Sequence, residues 1–245
     1  DTFELNYGTA LLQRNKIKRD KNGNPITYKY TLFNHPKLPF IPKENYKYNK
    51  IVYNDNYTVR HIVPEPTDKL IVIQGYGQHV GIFKEVKDKI LDYFNVYDKN
   101  VYEYVQNKYG IDPKKKNIMV GIRVGNDFKH MTKITSKSYQ NALKRFVEED
   151  ESDYNLVVLS DDVNYHHMLN FNIKGKIIVV NEDDITQMYA GMLCSHFILC
   201  ESTYHYWIAF FKELMDPSVK IIYFNDTDMT KYSRVLDTWI GIDYN

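Results

Sequence analysis

Four short polar turns hold the residues best suited to chemistry. The first reads Gln74-Gly75-Tyr76-Gly77-Gln78-His79. Its two glycines let a backbone come close to a ligand, and Tyr76, Gln78 and His79 supply groups that pair with sugar hydroxyls. A plain turn with a capping side chain has the same composition. The second, Arg123-Val124-Gly125-Asn126-Asp127, closes an apolar run with a cation and a carboxylate. The third is Ser160-Asp161-Asp162. One of its aspartates can cap a following helix, with Asp162 preferred for that. The other, Asp161, can accept the paired N1–H and N2–H donors of guanine, a match that adenine lacks. The fourth, Glu201-Ser202-Thr203-Tyr204, opens an aromatic segment. Ser and Thr are favoured helix N-caps, yet a helix start also offers backbone N–H groups and a positive dipole end to a diphosphate. Capping and anion binding both stay open for this turn.

The elements around these turns predict where they meet. Short apolar, β-branched runs occur at 118–124, 156–159, 176–180, 197–200 and 220–224, with helical patterns between them at 138–148, 163–170, 184–193 and 204–214. Strands alternating with helices predict βαβ units and a parallel sheet buried on both faces. In such a sheet ligands bind outside the carboxyl ends of the strands, which is where the last three turns fall. Ahead of Pro113 the pattern is less regular. A helical stretch over 3–16 precedes a Pro-, Asn- and Tyr-rich region at 20–68, then a strand at 70–74 and helices at 83–96 and 98–108. The expected division is therefore an N-terminal lobe, 1–113, and a doubly wound, Rossmann-like lobe, 114–245.

Composition narrows the partners. The 245 residues are 43% hydrophobic and 26% charged, an ordinary globular balance. A net charge of +1 gives no strong field toward nucleic acid or acidic membranes. Lys114-Lys115-Lys116 reads as a solvated turn. The sequence contains no apolar stretch long enough to span a bilayer and does not open with a signal-peptide pattern, so a cytoplasmic location is expected. Cys194 and Cys200 flank an apolar run and read as buried thiols. There is no Gly-rich phosphate loop, so NAD and ATP chemistry is not expected. Asp226-Thr227-Asp228 has the spacing of a metal-bound nucleotide-sugar site but lies in a late loop, so no metal and no cofactor is expected.

The blocks together resemble glycosyltransferase family 11, the α-1,2-fucosyltransferases. Glu201-Ser202-Thr203-Tyr204-His205-Tyr206-Trp207-Ile208-Ala209 is similar to the family's N-S-T-F-S-W-W-x-A, matching at Ser202, Thr203, Trp207 and Ala209. Leu159-Ser160-Asp161-Asp162 resembles its F-S-D-D, Gly75-Tyr76 followed by Gln78 its G-Y-x-Q, and Asp237-Thr238-Trp239-Ile240 its C-terminal tryptophan segment. The departure lies in H-x-R-R-x-D. Arg123 stands where the His belongs, Gly125 and Asn126 where the arginines belong, and Asp127 falls one residue early.

The resemblance implies an α/β, GT-B-like architecture of two lobes and inverting, metal-independent transfer from a GDP-sugar. GDP-fucose and a glycan acceptor are the implied partners. The donor site would draw on Arg123, Gly125, Asn126, Ser160, Asp161, Asp162, Glu201, Ser202, Thr203 and Tyr204. Tyr76 and Gln78 would face the acceptor, and Asp127 or His79 would take its proton. The family's first arginine holds the donor diphosphate. Here Arg123 can lean across the side-chain-free Gly125, two residues or roughly 6.5 Å along an extended strand, to supply that guanidinium. Loss of both motif arginines keeps an inactive sugar-nucleotide or glycan-binding module and a different nucleotide sugar open, and one lobe of a larger multidomain transferase is a further reading.

Overall fold

The computed structural model describes residues 50–54, 70–74, 89–92, 96–124, 134–147, 153–162, 164–165, 169, 171–225 and 235–243. Tyr76, Gln78, His79, Gly125, Asn126, Asp127, Asp226 and Asp228 lie outside them, as does the expected helix at 3–16. The chain folds as two compact units, the second beginning at Lys99. In the first unit β1 (Lys50–Asn54) pairs in parallel with β2 (Leu70–Gln74), from Lys50 opposite Leu70 to Asn54 opposite Gln74.

The second unit starts with α1 (Lys99–Tyr109), whose Val101 and Val105 are buried. Gly110 ends this helix at φ 65°, a left-handed conformation that costs glycine nothing, and its N–H donates to Gln106 O at 2.8 Å. The unit begins ahead of the composition change at Pro113 because α1 packs on the later helix α3 (Asp184–Met192), Tyr102 meeting Tyr189 edge-on at 4.9 Å.

The sheet is made of β3 (Asn117–Ile122), β4 (Asn155–Ser160), β5 (Ile177–Val179), β6 (His196–Ile198), β7 (Lys220–Phe224) and β8 (Ile240–Ile242). Its order is β5-β4-β3-β6-β7-β8, and every pair is parallel. The chain enters at β3, moves outward through β4 and β5, then returns to lay β6 on the other side of β3. The α/β class and the doubly wound C-terminal sheet are therefore as the alternation of strands and helices predicted. The last strand, β8, was not predicted. Three residues, one of them Gly241, carry too little pattern to announce a strand.

Burial explains why these segments are strands. All six β3 residues are buried, and successive side chains point to opposite faces. Ile118, Val120 and Ile122 join a core with Leu156, Val158 and Ile222 and with Tyr139, Leu143 and Phe146 of α2 (Ser136–Val147). Met119 and Gly121 face the other way. There α3 and α4 (Thr203–Met215) come so close that a Cβ at Gly191 would meet Met119 Sδ at 2.9 Å and Ile208 Cγ2 at 2.7 Å.

One buried carboxylate ties the C-terminal segment to α4. Glu213 is 4% exposed. Its Oε2 accepts from Trp239 Nε1 at 3.0 Å, and its Oε1 accepts from Thr238 Oγ1. The Trp239 ring also packs 5.1 Å from Tyr206 of the same helix. Trp239→Phe keeps an aromatic ring but removes one donor to a buried carboxylate, so it should lower unfolding stability by about 1–3 kcal/mol. Urea denaturation of the variant measures this; a change within a few tenths of a kcal/mol would show that the hydrogen bond contributes nothing.

Candidate active site

In the order just described, the strand sequence reverses between β3 and β6, and in parallel α/β sheets ligands bind outside the carboxyl ends of the strands at such a point. β3 ends at Ile122, paired with Ser160, the last residue of β4. On the other side Val120 pairs with Ile198, the last residue of β6. The residues that follow these ends, Arg123 and Val124, Asp161 and Asp162, and Cys200 and Glu201, therefore converge without any long connection.

A small, partly open cleft lies there, lined by Ile122, Arg123, Val124, Ile134, Tyr139, Tyr165, Cys200 and Glu201. Its floor is apolar and aromatic, and its walls carry one cation and one carboxylate. Tyr139 is fixed by donating its hydroxyl to Gly121 O at 2.7 Å.

The two predicted aspartates divide their work. Asp161 Oδ2 lies 3.3 Å from Arg123 Nε, and its Oδ1 accepts from Val124 N at 2.9 Å. Asp162 accepts at Oδ1 from the backbone N–H of Asn164 at 3.0 Å, and its own N–H donates to Ser160 Oγ at 3.0 Å. Ser160 and Asp162 thus hold the turn, while Asp161 reaches across to β3.

The start of α4 answers part of the question raised by its sequence. Ser202 occupies the N-cap with extended backbone (φ −145°, ψ 122°), but its side chain makes no capping hydrogen bond. Its N–H donates to Cys200 O at 2.8 Å, and its own carbonyl accepts from Tyr206 N at 3.0 Å. The positive end of α4 therefore lacks the hydroxyl cap that its sequence offers, which is the arrangement an anion site uses. By contrast α3 is capped conventionally, Asp183 Oδ1 accepting from Thr186 N at 2.9 Å. Tyr204, predicted to touch the donor, donates its hydroxyl to Asp184 O and so ties the start of α4 to the start of α3.

Beneath Arg123 sits a layer that sequence reasoning missed. His205 is 3% exposed, and its Nδ1 lies 3.0 Å from Cys200 Sγ. Burial, helped by the nearby Arg123 charge, pushes the His205 pKa down to about 3. Burial also pushes the Cys200 thiol well above its ordinary range, helped by the Asp161 charge. The pair is a neutral thiol against a neutral imidazole. A Cβ on Gly121 would meet His205 Nδ1 at 2.6 Å, so the ring fits only because residue 121 has no side chain. A lone glycine within an apolar strand was the available signal.

A second polar cluster lies at the end of β5. The Glu182 side chain is fully buried and accepts from Tyr109 OH at 2.9 Å, from Tyr104 OH at 3.3 Å and from Lys108 Nζ. It anchors α1. Both cysteines are free thiols and buried. Among the described residues no three His, Cys, Asp or Glu side chains gather as metal ligands, and no helix is long and apolar enough to cross a membrane.

Comparison with known proteins adds a family. The model of glycosyl transferase family 11 matches residues 26–243. No curated protein matches the sequence. Among solved structures, POFUT1 in complex with GDP is similar at 11% identity and a TM-score of 0.46, over 62% of this chain and 54% of that one. ADP-heptose lipopolysaccharide heptosyltransferase II from E. coli gives 13% identity and 0.40, over 60% and 44%. Fucosyltransferase NodZ from Bradyrhizobium gives 10% and 0.38, over 62% and 54%. The chain thus spans about half the length of these structures.

The neutral His205 has a pH consequence. Its folded pKa of about 3 lies below the ordinary 6.5, so between those values the unfolded chain binds the extra proton. The His205 contribution is complete above pH 6.5 and is lost as pH falls toward 3. By pH 5 the loss should reach about 2 kcal/mol. His205→Asn should therefore show a shallower fall in stability between pH 7 and pH 5 than the wild type. Chemical denaturation at the two pH values checks it, and equal slopes would mean that His205 takes up its proton as readily in the fold as in the unfolded chain.

Proposed function

The chain belongs to glycosyl transferase family 11, and from that membership we propose that it transfers a sugar, L-fucose, from GDP-fucose to a glycan hydroxyl with inversion and without a metal ion. The observation that carries this reading is the placement of Arg123 at the carboxyl end of β3, lining the cleft opposite the α4 turn at Glu201. Family members use an arginine of this segment to hold the donor diphosphate. Gly125 and Asn126 occupy the motif's arginine positions in this chain, so Arg123 takes that task.

Inversion requires a single displacement. The acceptor oxygen attacks the anomeric carbon, the bond to the diphosphate oxygen breaks, and the acceptor proton passes to a base, for which Asp127 and His79 are the candidates. Negative charge builds on the leaving diphosphate. The Arg123 guanidinium and the uncapped start of α4 oppose it with donors already in place, so little reorganisation is needed as the bond breaks. A second reading, an inactive sugar-nucleotide-binding module, draws on the absence of both motif arginines.

Donor titration tests the Arg123 role, and a transfer assay separates the two readings. Arg123→Ala removes a charge-assisted contact worth about 1.5–3 kcal/mol, so affinity for GDP-fucose should fall roughly ten- to a hundredfold. Arg123→Lys should recover only part, because an ammonium lacks the planar fork. Calorimetric titration into folded variants reads the affinities; an unchanged Arg123→Ala value would remove the diphosphate role. Transfer assayed with GDP-fucose should also survive excess EDTA. Activity that disappears and returns with manganese would restore Asp226 and Asp228 as candidate ligands. Donor binding with no transfer or donor hydrolysis at all would favour the inactive module.

A further inference from the structure

We propose that Asp161 is a positioning residue that orients Arg123 toward the diphosphate, and that it does not read the nucleotide base. This rests on the reading of Arg123 as the diphosphate ligand. Sequence alone suited Asp161 to the paired donors of guanine. The geometry commits its two oxygens elsewhere, Oδ1 to Val124 N at 2.9 Å and Oδ2 to Arg123 Nε at 3.3 Å.

The register makes this commitment systematic. Ile122 and Ser160 form the last rung of the β3–β4 ladder, so Arg123 and Asp161 face each other one step beyond it. There the β4 backbone turns away at Asp161-Asp162, and the Asp161 carboxylate continues the pairing by accepting the Val124 N–H. One oxygen is thereby pinned to the β3 backbone. The other meets the guanidinium of the adjacent residue from the Nε side.

Stability alone does not explain such a pair. The Arg123 and Asp161 side chains are 31% and 20% exposed, and partly solvated ion pairs contribute little to folding. What the pair does supply is order. Arginine has many rotamers, and the ion pair with Asp161 restricts them before an anion arrives, so less entropy is lost on binding. The carboxylate also opposes the net attraction of Arg123 for a diphosphate. Orientation and charge therefore act in opposite directions, which makes the sign of the effect measurable.

The test titrates inorganic pyrophosphate, GDP and UDP into the wild type, Asp161→Asn, Arg123→Ala and the double variant. Asp161→Asn keeps an acceptor for the Val124 N–H and removes the charge that pairs with Arg123. Affinity for all three ligands should fall by a common factor of about five to twenty, because the shared diphosphate has lost a preorganised contact. In the Arg123→Ala background the same change should have no further effect, since Asp161 acts only through Arg123. Asp161→Glu, which displaces the charge by one methylene, should also lower the three affinities together and serves if the Asn variant unfolds. Loss confined to GDP would show that Asp161 reads guanine and overturn the proposal. So would unchanged or increased affinity, or an effect that persists without Arg123. Wild-type protein that binds none of the three ligands would overturn the glycosyltransferase reading along with it, whereas failure of the variants alone leaves that reading standing.

Discussion

The parallel pairing of β3 with β4 on one side and β6 on the other is the constraint from which the site follows. Because β3 is central and buried along its whole length, the places where its neighbours end are fixed by hydrogen-bonded register and not by loop conformation. Arg123, Asp161 and Glu201 lie far apart in sequence, yet each comes within three residues of its strand's last rung. Precision at the cleft is inherited from the ladder, and functional groups held at strand ends are more rigid than groups held on long loops.

What lies under the cleft matters as much as its rim. The Cys200–His205 pair on one face of β3 and the Tyr139 hydroxyl, bound to Gly121 O from the other, surround the end of that strand with neutral groups. Charges near such a layer interact more strongly than they would in water. A protonated imidazole there would compete with Arg123 for any anion and would itself be poorly solvated. Burial of His205 removes that competitor and leaves the guanidinium as the positive group of the β3 end. The uncapped start of α4 adds a partial positive charge on the same side.

The sheet was legible because β-branched runs such as Ile118-Met119-Val120 and Lys220–Phe224 leave few alternatives to a buried strand. The polar turns were legible for the same reason, as breaks at predictable strand ends. Their internal division of labour was not. The two aspartates were assigned to capping and to guanine, and only the register and hydrogen bonds reveal that Asp161 reaches across to β3. Ser202 left capping and anion binding both open, and only the structure shows that its side chain makes no capping bond. His205 was invisible because its partner Gly121 lies on a strand distant in sequence. Short elements such as β8 carry too few residues for any periodicity to register.

The contact between Gly121 and His205 also restricts the order in which this chain can change. A side chain added at 121 while the imidazole is present places its Cβ 2.6 Å from Nδ1, inside a packed core that has nowhere to move. If residue 205 is reduced first, the space opens and position 121 becomes permissive. The family pattern that this segment resembles carries a serine at 205, small enough to leave room. Glycine at 121 and histidine at 205 are therefore a matched pair in this chain, and a larger residue at 121 requires a smaller one at 205.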